Sequence, residues 1–516
     1  MRQTNAVGDA RQNGRRVFAV LSVFCGICFM LVLGIVVFGQ RRLNAVYQTN
    51  MLLPNLALLP MAAALLLGLW AVRERTQRRA LNIRGSWFLA GYFAALLLLQ
   101  LLVARSLWFY PGWDVETVYQ TAFTIVGGGA IDRAYFAECP NNAGIAVVLS
   151  IPLWIAGRLG KDVPYTVLVY LSVLLVNLAC FVCMLCVRKV TESRITWVFA
   201  LALCTVWIGL SLMITVPYSD TFAILFPILA LYVYLSRKLP LFVKWLLIAL
   251  LCFLGASIKP TALIFLFALV LVSGLQKVLH CRGKDQWKRV LVVLAALMIG
   301  AAPGYLWNRA AIRYTAGDTN PEQQRGIAHF LMMGMNGDTF GGHDPEDVAY
   351  SSSFVTNSER TAANLARAWE RVAGRGLAGN LYFFAAKTYK AFGDGTMAQS
   401  KSFLIMEAPV RDGRWGTLLK RVFYADGEYN AAFQTVQQIL WLCILLLLPA
   451  AMLGKARKRK VTAVLAVTVT GLGLYLLLFE VWPRYLYLYA PVFVVLAAIG
   501  LDTMRQHRIP RIVNPE

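Results

Sequence analysis

Residues 164–187 read PYTVLVYLSVLLVNLACFVCMLCV, an almost uninterrupted apolar run that ends at the basic pair Arg188 and Lys189. A run of this length is what an α-helix needs to cross the hydrocarbon core of a bilayer. Similar runs recur along the 516 residues, of which 59% are hydrophobic. The sequence therefore predicts an all-α polytopic membrane protein with about 12 transmembrane helices. We place them at 17–38, 51–72, 86–106, 164–187, 195–214, 218–235, 241–257, 260–276, 289–307, 434–453, 461–480 and 484–501.

Basic residues are concentrated in the segments between alternate predicted helices. Cytoplasmic loops of membrane proteins collect Lys and Arg, so this pattern predicts which side each loop occupies. It places both termini in the cytoplasm and the loops 107–163 and 308–433 outside a plasma membrane. Arg41 and Arg42 are the main exceptions, because they fall in the first predicted outer loop. The basic residues that set the orientation are Arg73, Arg75, Arg78, Arg79, Arg84, Arg188, Lys189, Arg194, Arg237, Lys238, Lys277, Arg282, Lys284, Lys288, Lys455, Arg457, Lys458, Arg459, Lys460, Arg505, Arg508 and Arg511.

One apolar stretch has to be left out of the spans for this orientation to hold. Residues 143–158 read AGIAVVLSIPLWIAGR, a short run with Pro152 in its middle. Counted as a span, it would reverse the side of every later loop. We therefore interpret it as a helix lying in the outer membrane interface. Residues 119–127 predict a second such helix, ended by three consecutive glycines.

The chain divides into three predicted regions. Residues 1–307 form an N-terminal transmembrane region that includes the outer loop 107–163. Residues 308–433 form a mainly helical outer region, with helices from about Ser358 to Val372 and from Asn380 to Phe392. We expect the second of these to lie on the membrane surface with its aromatic side chains down. Residues 434–516 form the C-terminal transmembrane helices and a cytoplasmic tail.

Several functions are made improbable by what the sequence lacks. The net charge of +24 is explained by the cytoplasmic loops, and no nucleic-acid-binding motif is present. Most cysteines lie inside apolar runs, where they pack as small hydrophobic residues, and Cys139 alone falls in a predicted outer loop. His329 and His343 do not have zinc-ligand spacing, and there is no nucleotide-binding glycine motif. The sequence therefore predicts neither a histidine metal site nor a nucleic-acid partner, and it establishes no cofactor.

The run YPGWDVE, residues 110–116, places Asp114 and Glu116 just after a predicted span. Carboxylates close to hydrocarbon are costly, so acids at this boundary are candidates for function. Helix capping is the simpler interpretation of Asp114, since Asp readily begins a helix. The nearby aromatic residues fit a membrane-interface belt equally well.

Three further charged residues occupy very short gaps between predicted spans on the same side. Asp220 follows Val-Pro-Tyr-Ser at a helix start, where capping is again an alternative. Lys259 interrupts an apolar stretch and either extends to the interface or holds a phosphate. Arg484 either pairs with Glu480 or clamps a phosphate, because a guanidinium matches phosphate oxygens bidentately.

Taken together, these motifs resemble those of the GT-C superfamily of membrane glycosyltransferases, which includes bacterial relatives of the protein O-mannosyltransferases and the aminoarabinose transferases of lipid A. The resemblance runs from the third span to the last: acids in the first large outer loop, interfacial helices, the Pro-Tyr-Ser-Asp gap, and Arg484-Tyr485 before the last span. The segment from His329 to Tyr350 is similar to that of Gram-positive membrane proteins assigned to the same group. One departure is Val115, which separates two acids that are adjacent in protein mannosyltransferases.

The resemblance implies transfer of a sugar from a polyprenyl-phosphate carrier to a hydroxyl of an envelope polymer, a lipid or a protein. Asp114 would act as general base, with Glu116 as the second catalytic carboxylate. Glu116 and Asp220 would orient the acceptor or, in a second role, bind a divalent Mg or Mn ion. The candidate substrate-binding residues are Asp220, Lys259, Arg484, Tyr485 and His343.

Two other functions remain open from the sequence. A transporter or flippase for a lipid-linked or anionic solute would also contact membrane lipids and need outward-facing charges. It typically has internal repeats and helices broken at the bilayer midplane, and neither is visible here. An envelope glycan ligase would use the same chemistry with a diphosphate carrier.

Overall fold

The computed structural model describes residues 2–43, 47, 49–77, 85–159, 165–278, 284–317, 321–398 and 413–504. Within these ranges the chain forms only helices and turns, which confirms the predicted all-α class. Helices satisfy their own backbone hydrogen bonds, as hydrocarbon surroundings require. Several basic residues used to predict orientation lie outside the described residues, namely Arg78, Arg79, Arg84, Arg282, Arg505, Arg508 and Arg511.

The described residues form 21 α-helices, of which the first group precedes residue 240 and the second follows it. The first group is α1 (Arg2–Phe38), α2 (Gln40–Leu43), α3 (Asn55–Gln77), α4 (Ser86–Leu107), α5 (Trp113–Gly127), α6 (Arg133–Glu138), α7 (Ala143–Arg158), α8 (Thr166–Val190), α9 (Arg194–Ala202), α10 (Ser219–Phe222) and α11 (Leu225–Tyr234). The second group is α12 (Leu241–Ile258), α13 (Ile264–Val278), α14 (Lys284–Ala316), α15 (Ile327–Gly334), α16 (Pro345–Ser352), α17 (Asn357–Phe392), α18 (Arg414–Phe423), α19 (Asn430–Ala451), α20 (Lys460–Leu478) and α21 (Ala490–Thr503). A π-helical turn, Leu203–Gly209, continues α9, and 3-10 turns at Pro260–Leu263 and Pro483–Tyr489 precede α13 and α21.

Ten of the described helical segments are long and apolar enough to cross a membrane. Nine of them coincide with predicted spans, and the shorter apolar segments Arg194–Gly209, Ser219–Tyr234 and Pro260–Gln276 coincide with the other three. The tenth is Pro140–Arg158, which the sequence predicted to lie in the interface. The multi-pass architecture is therefore shown, whereas the number twelve stays a prediction that depends on how this segment lies.

The loop before α8 is a packed body rather than an extended connection. Helix α7 lies against α5 and also contacts α8, α12 and α14. Gly144 allows the closest approach, because a Cβ atom at this position would overlap the carbonyl oxygen of Ser257 at the end of α12. Helix α5 ends as predicted at the glycine run, where Gly128 has a φ of 72°. This body sits directly on the helix ends that carry the candidate site residues.

The region 308–433 begins later than predicted, because α14 continues to Ala316. Its two predicted helices are both present, joined into the single long helix α17. A kink at Gly376, where φ is 60°, separates the two halves. An L-residue would be strained in this left-handed conformation, so glycine marks the joint.

The end of α17 corrects the prediction that residues 380–392 lie on the membrane surface. Its last turns are buried, and α17 contacts both α1 and α20. The Phe392 ring stacks on Trp441 of α19, with 6.4 Å between the ring centroids. Aromatic residues in an amphipathic pattern fit a lipid interface and a protein interior equally well. Here Phe383, Tyr389 and Phe392 are buried in the interior, whereas Tyr382 is exposed.

Polar side chains of the bundle satisfy the non-helical backbone that follows α17. Gln438 accepts a hydrogen bond from the Gly395 N–H at 2.6 Å and donates to the Gly393 carbonyl at 3.1 Å. Trp207 donates its indole N–H to the Gly395 carbonyl at 2.8 Å. Asp394 is fully buried and accepts from the Tyr47 hydroxyl at 3.0 Å. Irregular backbone among apolar helices is tolerated only when protein groups satisfy it in this way.

We predict that Gln438→Leu lowers the thermal stability of the detergent-solubilised protein. The substitution leaves buried backbone groups of Gly393 and Gly395 without partners, at a cost of about 1–3 kcal/mol for each. Gln437→Leu on the same helix is the matched control, because the Gln437 amide donates a longer hydrogen bond, 3.3 Å, to the Val206 carbonyl. Melting temperatures that fall equally in both variants would contradict this role for Gln438.

Candidate active site

A strained turn sets the position of the two predicted catalytic acids. Gly112 and Trp113 have φ angles of 65° and 46°, and α5 begins at Trp113. Gly112 occupies the cap position, so the alternative in which Asp114 caps the helix is wrong. Asp114 and Glu116 are instead exposed in the first turn of α5. A left-handed backbone is uncommon for a residue as large as Trp, and such strain tends to be kept at functional sites.

The turn places the Trp113 ring against Arg484. The guanidinium carbon lies 4.2 Å from the Trp113 ring centroid, 5.4 Å from that of Tyr485 and 5.9 Å from that of Tyr218. Aromatic faces attract a guanidinium, and more strongly when it is removed from water. The Arg484 Nε is buried without a hydrogen-bond partner. The rings therefore hold the cation by its face.

Asp220 and Lys259 form an ion pair beside this cation. The Asp220 side chain is fully buried, whereas that of Lys259 remains 12% exposed. The Lys259 ammonium also lies 4.5 Å from the Tyr485 ring centroid, so Tyr485 stands between the two cations. Burial lowers the pKa of Lys259, and the Asp220 carboxylate opposes that shift. Neither helix capping nor a simple extension to the interface describes these two residues.

Six of the seven predicted site residues belong to this assembly, which we call the acid–cation cluster: Asp114, Glu116, Asp220, Lys259, Arg484 and Tyr485. Glu480 belongs to its edge, because it accepts a hydrogen bond from the Tyr485 hydroxyl at 3.0 Å. The side chain of Arg484 is thus held by rings rather than by an ion pair with Glu480, which was one of the two alternatives.

A chain of hydrogen bonds leads to Asp114 from residues that the sequence did not single out. The Tyr218 hydroxyl donates to the Asn142 amide oxygen at 3.2 Å, and the Asn142 nitrogen donates to the Tyr135 hydroxyl at 2.6 Å. Tyr135 in turn donates to Asp114 Oδ1 at 3.0 Å. Burial, followed by the Asp114 charge, raises the pKa of Tyr135 far above its usual value, so Tyr135 remains a donor. The chain orients the Asp114 carboxylate.

Lys390 of α17 and the backbone of Gly341 fasten the region after α14 to the segment that carries Arg484. Lys390 lies 4.8 Å from the Trp482 ring centroid. Lys387 is fully buried, and burial lowers its pKa to about 7. A Cβ atom on Gly341 would come within 2.7 Å of the Lys387 Nζ, and the Gly341 carbonyl accepts from the Val481 N–H at 2.8 Å. These lysines could not be recognised from the sequence, because they lie on a helix predicted to be at the surface.

His343 lies apart from the cluster. It is exposed in the turn between α15 and α16, and no hydrogen bond or ion pair of a described residue joins it to the cluster. The residues beside it form a structural network instead, in which Asp347 pairs with Arg371 and accepts from Asn336 at 2.9 Å. The structure therefore does not support His343 as a ligand of the same substrate.

The donor set does not fit a divalent metal ion. Among the residues that the structure describes, no group of three or more His, Cys, Asp or Glu side chains could hold one. Asp220 is engaged by Lys259, so it does not share with Glu116 the Mg or Mn role that the resemblance implies. A cation is already supplied here by Arg484 and Lys259.

The chain belongs to a family described as "Conserved hypothetical integral membrane protein", whose model matches residues 12–504. No curated protein and no solved structure matches it. The family model covers the cluster and all the helices that position it.

We predict that Lys259→Met destabilises the protein strongly, by about 3–5 kcal/mol, because it leaves the buried Asp220 carboxylate unpaired. The double variant Asp220→Leu/Lys259→Met should recover most of this loss, since it removes both charges. Thermal unfolding of wild type, both single variants and the double variant forms a cycle that measures the coupling. Additive losses would show that the two side chains do not act as a pair.

Proposed function

We propose that this protein is an integral membrane glycosyltransferase that moves a sugar from a polyprenyl-phosphate carrier to an acceptor hydroxyl at the outer face of the cytoplasmic membrane. One observation carries the proposal. Asp114, an exposed carboxylate, is the residue directly after Trp113, whose ring holds the Arg484 guanidinium. A base and an anion-binding group side by side are what attack on a phosphate-activated sugar needs.

The reaction is a single displacement with inversion at the anomeric carbon. The acceptor oxygen forms a bond to that carbon as the bond from the carbon to the phosphate oxygen breaks, and the electron pair leaves with the phosphate. Asp114 takes the proton of the acceptor hydroxyl. Arg484, assisted by Lys259, stabilises the charge that develops on the phosphate, and does so without reorganisation because the aromatic rings already hold the guanidinium.

The hydrogen-bond chain assigns different tasks to the two oxygens of Asp114. Tyr135 occupies Oδ1, which leaves Oδ2 as the oxygen that accepts the proton. Tyr135 is a positioning residue in this scheme, since it acts through Asp114. Glu116, one turn into the same helix, orients the acceptor.

We predict that Asp114→Asn lowers sugar transfer by about 10²–10⁴-fold, the usual contribution of a general base. Tyr135→Phe should lower it about tenfold, the effect of one lost hydrogen bond of about 1.4 kcal/mol. The measurement is transfer by purified protein from a panel of radiolabelled polyprenyl-phosphate sugars to envelope extract. Asp426→Asn is the matched control, because Asp426 is an exposed carboxylate paired with Lys420 outside the cluster.

Transfer by Asp114→Asn at the wild-type rate would remove Asp114 as the base. A requirement for a diphosphate-linked donor would favour the ligase function instead. Donor binding without turnover, equal in wild type and Asp114→Asn, would favour the transporter.

The proposed side of the membrane is tested separately. The exposed Glu370 on α17 should lie outside and Arg237, after α11, inside. In intact cells, we expect a membrane-impermeant maleimide to label Glu370→Cys but not Arg237→Cys, which should react only after permeabilisation. The wild-type protein measures background labelling of its own cysteines. The opposite pattern would place the acid–cation cluster in the cytoplasm.

A further inference from the structure

An open cleft runs along one face of α5, next to the acid–cation cluster. Its volume is about 550 Å³, within the range of about 300–1,000 Å³ that is usual for small-ligand sites. The side chains that decide its chemistry are Trp113, Glu116, Thr117, Gln120, Thr124 and Asp132. All of them except Asp132, which caps α6, lie on one face of α5. Neither the predicted site residues nor the proposed mechanism accounts for this polar surface beyond Glu116.

The lining combines one aromatic wall with groups that form hydrogen bonds. Threonine hydroxyls and the Gln120 amide both donate and accept, and the carboxylates of Glu116 and Asp132 accept. No cation is among the lining residues. Such a surface suits a ligand with many hydroxyls and apolar C–H faces. Two carboxylates disfavour a phosphate- or carboxylate-bearing ligand through like-charge repulsion, and a prenyl chain would leave the polar groups without partners.

Trp113 is common to the cleft and the phosphate-binding side of the site. It lines the cleft, and it holds the Arg484 guanidinium 4.2 Å from its ring centroid. Asp114 is the next residue in the chain. A ligand in the cleft therefore shares the Trp113 ring with a phosphate on Arg484, although the Asp114 side chain itself does not line the cleft. This is the arrangement in which an acceptor hydroxyl and an activated sugar meet.

We infer that the α5 cleft binds the acceptor, and that the acceptor end is a neutral, hydroxyl-rich saccharide. That the ligand is the acceptor rests on the proposed function, whereas binding of a neutral saccharide to the cleft follows from the lining alone. Gln120 and Asp132 are the side chains that select it, and Trp113 supplies the stacking face.

The test measures binding without turnover, so that it does not depend on the donor. Purified protein in detergent is applied, with no donor present, to an immobilised panel of neutral hexose and N-acetylhexosamine oligosaccharides. Uronate-bearing and phosphate-bearing oligosaccharides are included on the same panel. The blocking variant is Ala130→Trp, because Ala130 is an exposed part of the cleft lining and a large side chain there fills the cleft. The matched control is Ala349→Trp, which adds the same side chain at an exposed position on α16.

We expect binding to neutral oligosaccharides that weakens at least tenfold in Ala130→Trp and is unchanged in Ala349→Trp. Preferential binding of the anionic oligosaccharides, neutral binding that Ala130→Trp leaves intact, or no binding to any member of the panel would overturn the inference.

The same variants separate this inference from the proposed function. Saccharide binding to the cleft without any sugar transfer would support the saccharide site and contradict the proposed transferase function. If sugar transfer occurs and Ala130→Trp leaves the acceptor KM unchanged, the transferase function is supported. The cleft is then not its acceptor site.

Discussion

The candidate site depends on how the Arg484 guanidinium is held at the end of an apolar helix bundle. A buried charge is costly unless it is paired or solvated. Lys259 is neutralised by Asp220, whereas Arg484 is held by the faces of Trp113, Tyr218 and Tyr485. Cation–aromatic contacts stabilise the guanidinium without using its N–H groups. The cluster thus contains a guanidinium that aromatic faces hold in place, and the proposed function depends on it.

Contacts from distant parts of the chain fix this arrangement. Arg325, in the region after α14, forms an ion pair with Glu138 and donates its backbone N–H to the Glu138 carbonyl at 3.0 Å. Glu138 ends α6, the helix that carries Tyr135. On the other side, Lys390 of α17 lies against Trp482, two residues before Arg484. The region between α14 and α19 therefore supports both the helix that carries Tyr135 and the segment that carries Arg484.

The sequence predicted the helices well because membrane-spanning length and apolar composition are local properties. It also identified Asp114, Asp220, Lys259 and Arg484, because a charge in a short gap between apolar runs is conspicuous. It could not identify the pairing of Asp220 with Lys259, which joins two separate gaps. Nor could it show that the backbone of Trp113 is in the left-handed conformation. This conformation makes Asp114 a residue of the first helical turn rather than a cap.

Other features required the folded chain. Tyr135 and Asn142 are ordinary residues of a loop, and their role arises only because α6 and the turn before α7 face Asp114. The buried end of α17 was assigned to the membrane surface because its aromatic pattern is the same for lipid and for a protein interior. His343 belongs to a segment that resembles the family, and in the structure its side chain is exposed.

Phosphate binding at Arg484 is the most direct test of the central claim. The measurement is a structure of the protein with a short-chain prenyl phosphate, together with the affinity for that ligand in wild type and Arg484→Leu. We expect the phosphate within hydrogen-bond distance of the guanidinium, beside the Trp113 ring, and at least tenfold weaker binding in the variant. A phosphate bound elsewhere, with the same affinity in both proteins, would contradict the proposed site.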